Sequence, residues 1–255
     1  MIHQERYIQR SARQPLDRVR LLVISPVDPA DGNEGPFPVT SGERDLLLPQ
    51  TEVDEVLCRG APVPISGPRA VQRVIPMIAE KARWGEANGY HAVIINCMVD
   101  PGVREVRREV GIPVIGAGRA ADGLATTLGD RPVRAFPNSV HVNELASRQD
   151  DALREIESVT THQIRTRGVD SVVFNCAYLG GAAGYLQEKI GVPVMPTTEI
   201  ALRTAETIVL LGILPPRPEV AAGRIPEFRQ AVFRARDTLR QLADYFRQKI
   251  RLRST

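Results

Sequence analysis

Two of the three cysteines end matching segments of the chain. These are GYHAVIINC, residues 89–97, and GVDSVVFNC, residues 168–176; each has a glycine, a polar residue soon after it, an apolar run and Asn-Cys. A thiolate is a base and a nucleophile, and a helix N-terminus, which we expect shortly after each cysteine, lowers a thiol's pKa. Two thiols on opposite faces of a carbon atom could remove a proton on one side and return one on the other. We therefore predict that Cys97 and Cys176 form a catalytic pair.

An isolated cysteine at the end of a strand is most often a buried core residue. We keep that interpretation for Cys58, which lies in no repeat. For Cys97 and Cys176 the repetition favours function.

The repeat extends beyond the two cysteines. Each Asn-Cys is followed by a helical segment and then by a Pro-Val strand, VGIPVIG around Pro113 and IGVPVMP around Pro193. Two such βαβ halves can be related by a pseudo-twofold axis with a cleft between them. Because parallel sheets bind ligands at the carboxyl ends of their strands, both thiols would face that cleft.

Buried strands alternate with helices along most of the chain. The segments LLVIS (21–25) and VDEVL (53–57) are strands, and residues 69–88 form a helix in which Pro76 predicts a kink or a late start. From AVIIN onward, strands alternate with helical segments that include DPGVREVRREV and 147–167. This alternation predicts an α/β fold of two pseudo-symmetric parallel-sheet halves, with the cleft between them and a C-terminal helix added.

We divide the chain into an N-terminal arm at 1–18, a first half at 19–128, a shortened second half at 129–213 and an amphipathic helix at 225–251. We also consider that the first half includes part of the C-terminal helices. The Pro- and Gly-rich loop within 26–50 is interpreted as a lid.

Composition excludes several classes of protein. The chain has 255 residues, 43% of them hydrophobic and 25% charged, as in soluble globular proteins. It has neither a membrane-length apolar run nor a secretory signal, which predicts a cytoplasmic protein with reduced thiols and no membrane partner. The histidines and cysteines lack metal-ligand spacing, so we expect no metal and no cofactor. The net charge of +3 is the sum of +5 in residues 225–255 and −2 in the rest of the chain, which argues against nucleic-acid binding by the body.

Residues 85–125 and 165–212 carry a family resemblance. GYHAVIINCMVDPGVREVRREVGIPVIGAGRAA is similar to the first catalytic segment of the aspartate/glutamate racemase superfamily, closest to its hydantoin racemase branch. VDSVVFNCAYLGGAAGYLQEKIGVPVMPTTEIALRTAETIVLLG resembles the second segment. The resemblance, which covers about 19–213, implies a cofactor-independent racemase or epimerase of an amino acid or a hydantoin-like derivative. It also implies a small-molecule substrate and Cys97 and Cys176 as the two bases.

Other functions of the same superfamily remain open. Decarboxylation of a malonate and cis-trans isomerisation each use one thiol. A homologue that only binds a metabolite is a third alternative, favoured by an altered loop and by a second half that has lost about one βα unit. Having both cysteines favours racemisation.

The resemblance also assigns residues around the substrate. The family's Asn-Pro-Asn loop is replaced by Ser25-Pro26-Val27-Asp28, so an acidic Asp28 stands where a carboxylate would bind. Asn96 and Asn175 are predicted amide donors, and the backbone after each cysteine is predicted to bind an enolate oxygen. The full predicted substrate-binding set is Ser25, Asp28, Asn96, Met98, Gly116, Asn175, Ala177, Thr197 and Thr198. Gly67-Pro68 matches a family Gly-Pro near the cleft, with a turn as the alternative, and Asp100 is interpreted as a helix N-cap ahead of Pro101.

GAGRAA at 116–121 matches the dinucleotide-binding fingerprint. No acidic residue follows at the end of the next strand, which runs into Pro137 and Asn138. We therefore interpret the glycines as allowing tight strand-to-helix packing.

The C-terminal segment has one apolar stripe at helical spacing. It consists of Phe228, Val232, Ala235, Leu239, Leu242, Phe246 and Ile250. We predict that this helix packs across a neighbouring subunit of a homo-oligomer, with its own domain as the alternative.

Overall fold

A computed structural model describes residues 17–26, 41–62, 64–65, 67–145, 147–213 and 215. The chain divides into two compact units, Met1–Pro215 and Pro216–Thr255, and every element below belongs to the first. Most of the predicted arm, Asp28, the lid segment at 27–40 and the amphipathic helix at 225–251 lie outside the described residues. Among those that are described, no helix is long and apolar enough to cross a membrane.

The first half is built on a four-stranded parallel sheet. Its elements are β1 (Val19–Ser25), α1 (Ser41–Asp45), β2 (Thr51–Leu57), α2 (Gly67–Ala87), β3 (Ala92–Ile95), α3 (Val103–Val106) and β4 (Val114–Gly116). The strand order is β2-β1-β3-β4. Every residue of β3 is buried, as expected for a central strand that is covered on both faces.

The second half carries a three-stranded parallel sheet in the order β5-β6-β7. The elements that follow β4 are α4 (Ala117–Leu128), β5 (Pro132–Ala135), a 3₁₀ helix (Val142–Glu144), α5 (Gln149–Arg167), β6 (Ser171–Phe174), a 3₁₀ helix (Ala177–Ala182), α6 (Ala183–Ile190), β7 (Val194–Met195) and α7 (Thr197–Leu210). The predicted α/β class with parallel sheets is confirmed.

Helices α4 and α7 pack against each other and join the two sheets. Helix α7 follows the last strand of the second sheet, yet it packs on β1, β3 and β4 of the first. Helix α4 contacts both β4 and β6. One core cluster accordingly includes Val23, Ile94, Ala121, Ala201 and, from the second sheet, Val173.

Three local predictions differ from the structure. Helix α2 begins at Gly67, so the late start predicted from Pro76 is wrong; Pro76 is exposed on that helix. The helix predicted over DPGVREVRREV is limited to Val103–Val106. It ends in hydrogen bonds between residues three apart, as in a 3₁₀ turn, such as Arg108 N–H to Glu105 O. The five-residue helix α1 lies in a region predicted to be irregular.

Candidate active site

Both predicted catalytic cysteines line one cavity of about 640 Å³. Asn96, Cys97, Met98 and Val99 enter it from the end of β3, and Asn175, Cys176, Ala177 and Tyr178 from the end of β6. The rest of the lining is Pro26, Pro62, Pro64, Ile65, Gly67, residues 136–142 and Glu144. The volume is typical of a site for a small organic ligand.

The two Asn-Cys pairs leave their sheets in the same way. The backbone N–H of Asn96 donates to Ile24 O at 3.0 Å, and that of Asn175 donates to Ala135 O at 2.8 Å. Each asparagine is therefore anchored by the neighbouring strand, and each cysteine is the first residue beyond that anchor. This matched position brings the thiols to the same cavity.

Burial raises the pKa of both thiols, to about 11 for Cys97 and about 12 for Cys176. The Val99 and Tyr178 backbone hydrogen bonds to these sulfurs lower their pKa values, but by less than desolvation raises them. The backbone N–H groups after each cysteine thus lower the thiol pKa as expected, but the expected net decrease is wrong because burial outweighs them. Only short elements follow the cysteines: a turn and the four-residue α3 after Cys97, and a 3₁₀ helix after Cys176.

The amide of Asn96 is held in one orientation by a chain of hydrogen bonds. Ser25 Oγ donates to the Glu55 carboxylate at 2.5 Å, so its oxygen accepts from Asn96 Nδ2 at 3.4 Å. Thr198 Oγ1 donates to Asn96 Oδ1 at 3.1 Å. With Oδ1 occupied, the amide offers the cavity its remaining Nδ2 hydrogen.

The amide of Asn175 is oriented by Arg134. The guanidinium Nη1 donates to Asn175 Oδ1 at 3.2 Å, and a guanidinium has no acceptor, so the amide oxygen must face it. Asn175, like Asn96, thus lines the cavity with its oxygen bonded to the protein and its NH₂ group available as a donor.

Comparisons with known proteins find one family in common. A family model described as Asp/Glu/Hydantoin racemase matches residues 44–133. The hydantoin racemase of Paenarthrobacter aurescens is 25% identical over 221 residues, which cover 76% of this chain and 92% of that protein. The hydantoin racemase of Rhizobium meliloti is 28% identical over 181 residues, 59% of this chain and 73% of that protein.

The chain is similar to members of the Asp/Glu/hydantoin racemase superfamily. The resemblance found in the sequence is thereby confirmed. Two solved structures share the fold of this chain. The allantoin racemase of Pseudomonas fluorescens has a TM-score of 0.70 at 18% identity, over 78% of this chain and 94% of that one. The allantoin racemase of Klebsiella pneumoniae has a TM-score of 0.64 at 21% identity, over 78% and 90%.

The predicted helix-capping residue, Asp100, caps a different helix from the one predicted. The Asp100 carboxylate accepts from Gly118 N–H at 3.0 Å and from Arg119 N–H at 2.9 Å. It therefore caps the N-terminus of α4, not the N-terminus of a helix that begins after Pro101. Gly102 is the N-cap of α3. A pyrophosphate would need the position at the α4 N-terminus that the Asp100 carboxylate fills, which argues against dinucleotide binding at GAGRAA.

Only some of the other predicted substrate contacts line the cavity. Met98, Ala177 and Gly67 line the cavity. Ser25 and Thr198 act on it through Asn96, while Thr197 is fully buried and Gly116 packs against Asp100. Asp28 is not among the described residues.

Sequence reasoning missed one wall of the cavity, residues 136–142. This segment follows β5 and is anchored from α5, where the Glu155 carboxylate accepts from Asn138 N–H at 2.7 Å and from Ser139 N–H at 3.0 Å. The sequence signal that could have identified this segment is its position after the carboxyl end of strand β5, where parallel sheets bind ligands.

The cavity is largely apolar. Among the described residues that line it, none is Lys or Arg, and His141 and Glu144 carry the only imidazole and carboxylate. Pro62, Pro64, Ile65, Phe136, Val140 and Val142 supply apolar surface. No group of three potential metal ligands occurs in the described part of the chain.

Proposed function

We propose that this chain is an isomerase that racemises hydantoins with an apolar substituent at C5, without a cofactor, using Cys97 and Cys176 as the two bases. The observation that carries the proposal is the matched position of the two thiols in one cavity. The names of the relatives, hydantoin racemase, point to the same reaction.

The proposed reaction balances within the site. One thiolate takes the C5 proton, the C–H electron pair moves into the ring, and an enolate oxygen forms at C4. The opposite thiol then gives its proton to C5 on the other face. The cysteines have exchanged protonation states, so the product form of the enzyme is ready for the other enantiomer.

Donors placed by the asparagines suit the developing charge. Asn96 and Asn175 each bind the protein through Oδ1, which leaves N–H groups for ring carbonyl oxygens. Charge that develops on the enolate oxygen is stabilised by donors that are already oriented. The same N–H groups would bind a C4 or C2 carbonyl in the ground state more weakly.

The lining favours a neutral substrate. A free amino acid brings a carboxylate, and no Lys or Arg lines the described cavity to pair with it. A hydantoin ring is neutral near pH 7 and carries two carbonyl groups. The Pro, Ile, Phe and Val side chains of the lining would surround the C5 substituent.

The test is racemisation in D₂O. Purified protein is incubated separately with L- and D-5-benzylhydantoin, with 5-ureidohydantoin (allantoin) and with phenylalanine, and enantiomers and deuterium at C5 are measured. We expect loss of optical activity and deuterium uptake with both benzylhydantoins, less of both with allantoin, and neither with phenylalanine. Phenylalanine racemised as fast as benzylhydantoin would overturn the substrate class.

Cysteine variants test the mechanism. Cys97→Ser and Cys176→Ser are each expected to reduce racemisation by about a thousandfold or more, since a serine hydroxyl is a far weaker base. Cys58→Ala is the matched control, because Cys58 is fully buried outside the cavity lining, and it should retain activity. If either active-site variant kept full racemisation, the two-thiol mechanism would be wrong.

A further inference from the structure

Arg134 lies between the two cysteine loops and binds both. Its Nη1 donates to Met98 O at 2.8 Å, next to Cys97, and to Asn175 Oδ1 at 3.2 Å, next to Cys176. It belongs to β5, paired with Val173 of β6, so it reaches across to the first half from the second. Arg134 itself does not line the cavity.

The remaining donors of Arg134 fix its position. Nε and Nη2 donate to the Asp122 carboxylate of α4 at 3.1 and 2.5 Å. Gly118 makes room for this contact, since a Cβ there would lie 2.4 Å from Met98 O and 3.1 Å from Arg134 Nη2. One planar group therefore binds α4, the Cys97 loop and the Cys176 strand at once, which a single ammonium cannot do.

We propose that Arg134 is a positioning residue that sets the separation of the two thiols and the orientation of the Asn175 amide. The kinetic part of this inference rests on the proposed racemase function. Proton transfer depends steeply on placement, and a displacement of about 1 Å can cost on the order of a hundredfold in rate. Substrate binding over the rest of the cavity does not depend on Arg134.

A purely structural role would look different. The Arg134–Asp122 pair is 37% and 45% exposed, and exposed ion pairs contribute little to stability. Loss of Arg134 should therefore change the reaction much more than the melting temperature. This contrast gives the experiment its readout.

The kinetic test compares Arg134→Met with Arg131→Met. Arg131 lies just before the same strand and is exposed; its side chain donates to Arg167 O at 3.3 Å, away from the cysteines. For R134M we expect kcat on 5-benzylhydantoin to fall by about ten- to a hundredfold with KM within about threefold. R134K should recover part of the loss, and R131M should match the unmodified protein. An R134M enzyme with unchanged kcat, or a kcat loss explained by unfolded protein alone, would overturn the proposal.

A second measurement does not need racemase activity. Alkylation of the folded protein by iodoacetamide is followed for Cys97 and Cys176 separately by peptide mass spectrometry. R134M should change the rates at both thiols by at least about threefold, while R131M leaves them unchanged. Unchanged rates at both thiols in R134M would overturn the positioning role, even if no hydantoin were racemised. Changed rates in a protein without racemase activity would support the positioning role and reject the proposed function.

Discussion

The Asp100 carboxylate occupies the space that a side chain at Gly116 would fill. A Cβ built on Gly116 would lie 2.3 Å from Asp100 Oδ1. Asp100 has a φ of 49°, a left-handed conformation that is uncommon for residues other than glycine. The Cys97 loop is thus held on α4 by hydrogen bonds to one carboxylate, and this contact requires that residue 116 have no side chain.

Gly116→Ala should break the contact between the Asp100 carboxylate and the N-terminus of α4. The methyl group would push Asp100 away from the Gly118 and Arg119 N–H groups, and loss of such a cap costs about 1 kcal/mol, with strain added. We expect a destabilisation of about 1–3 kcal/mol in urea unfolding and a lower kcat, because the Cys97 loop moves.

A double-mutant cycle isolates the contact. Asp100→Ala removes the clashing carboxylate, so G116A in that background should cost much less than in the unmodified chain. Equal costs in the two backgrounds would show that the Gly116 effect does not pass through Asp100.

Racemisation should accelerate with pH. Burial raises the pKa of Cys97 to about 11 and of Cys176 to about 12, so near neutrality the basic thiolate is the minor form. Each unit of pH then raises the thiolate fraction about tenfold, and kcat/KM for 5-benzylhydantoin should rise about tenfold per unit from about pH 6.5 to 8.5. The measurement subtracts the uncatalysed rate at each pH. A flat profile over this range would mean that the base titrates below it.

Thr198→Val should impair catalysis while Thr197→Val should not. The Thr198 hydroxyl holds Asn96 Oδ1 at 3.1 Å, and without it the amide can rotate away from the cavity, so we expect kcat to fall by about tenfold. The neighbouring Thr197 is equally buried, but its hydroxyl has no hydrogen-bond partner among the described residues. T197V should keep kcat and gain up to about 1 kcal/mol of stability, since valine removes an unpaired buried hydroxyl. Equal kcat losses in both variants would argue for a general packing effect at this helix end.

Glu206→Gln tests the anchor at the start of β2. The Glu206 carboxylate is 2% exposed and accepts from Leu48 N–H at 2.8 Å and from Thr51 Oγ1 at 2.6 Å. We expect E206Q to cost about 1–3 kcal/mol in urea unfolding, because these bonds lose the charge and the new NH₂ group faces Arg203 Nη1, which donates to Glu206 Oε2 at 2.9 Å. Glu52→Gln is the control, since Glu52 pairs with Arg18 at the exposed surface and should cost under about 1 kcal/mol.

The parts of the site visible in the sequence were those encoded locally. Strands β3 and β6 are fully buried runs of apolar residues, so both their existence and the position of the following Asn-Cys could be predicted. Their common cavity followed from the repeat, because equivalent strands in two similar halves end at equivalent places.

The parts that were missed depend on contacts distant in sequence. Arg134 donates to a carbonyl 36 residues earlier in the chain, and nothing in VRAF marks that partner. Asp100 was recognised as a cap, but its helix begins at Ala117, and the left-handed turn that sends it there is not apparent from the residue type. The thiol pKa values were predicted in the wrong direction because burial, a property of the whole fold, outweighs the local N–H groups.

Helix α7 has a consequence for the order in which the molecule can be made. It packs on β1, β3 and β4, yet it is encoded after every strand of both sheets. The ribosome therefore synthesises the strands of the first sheet long before the helix that covers one face of that sheet. Until residues 197–210 arrive, Val23 and Ile94 lack part of their packing, and the nascent chain exposes apolar surface that a chaperone or a neighbouring chain can bind. Its folding should be late and cooperative, with the two halves completed together.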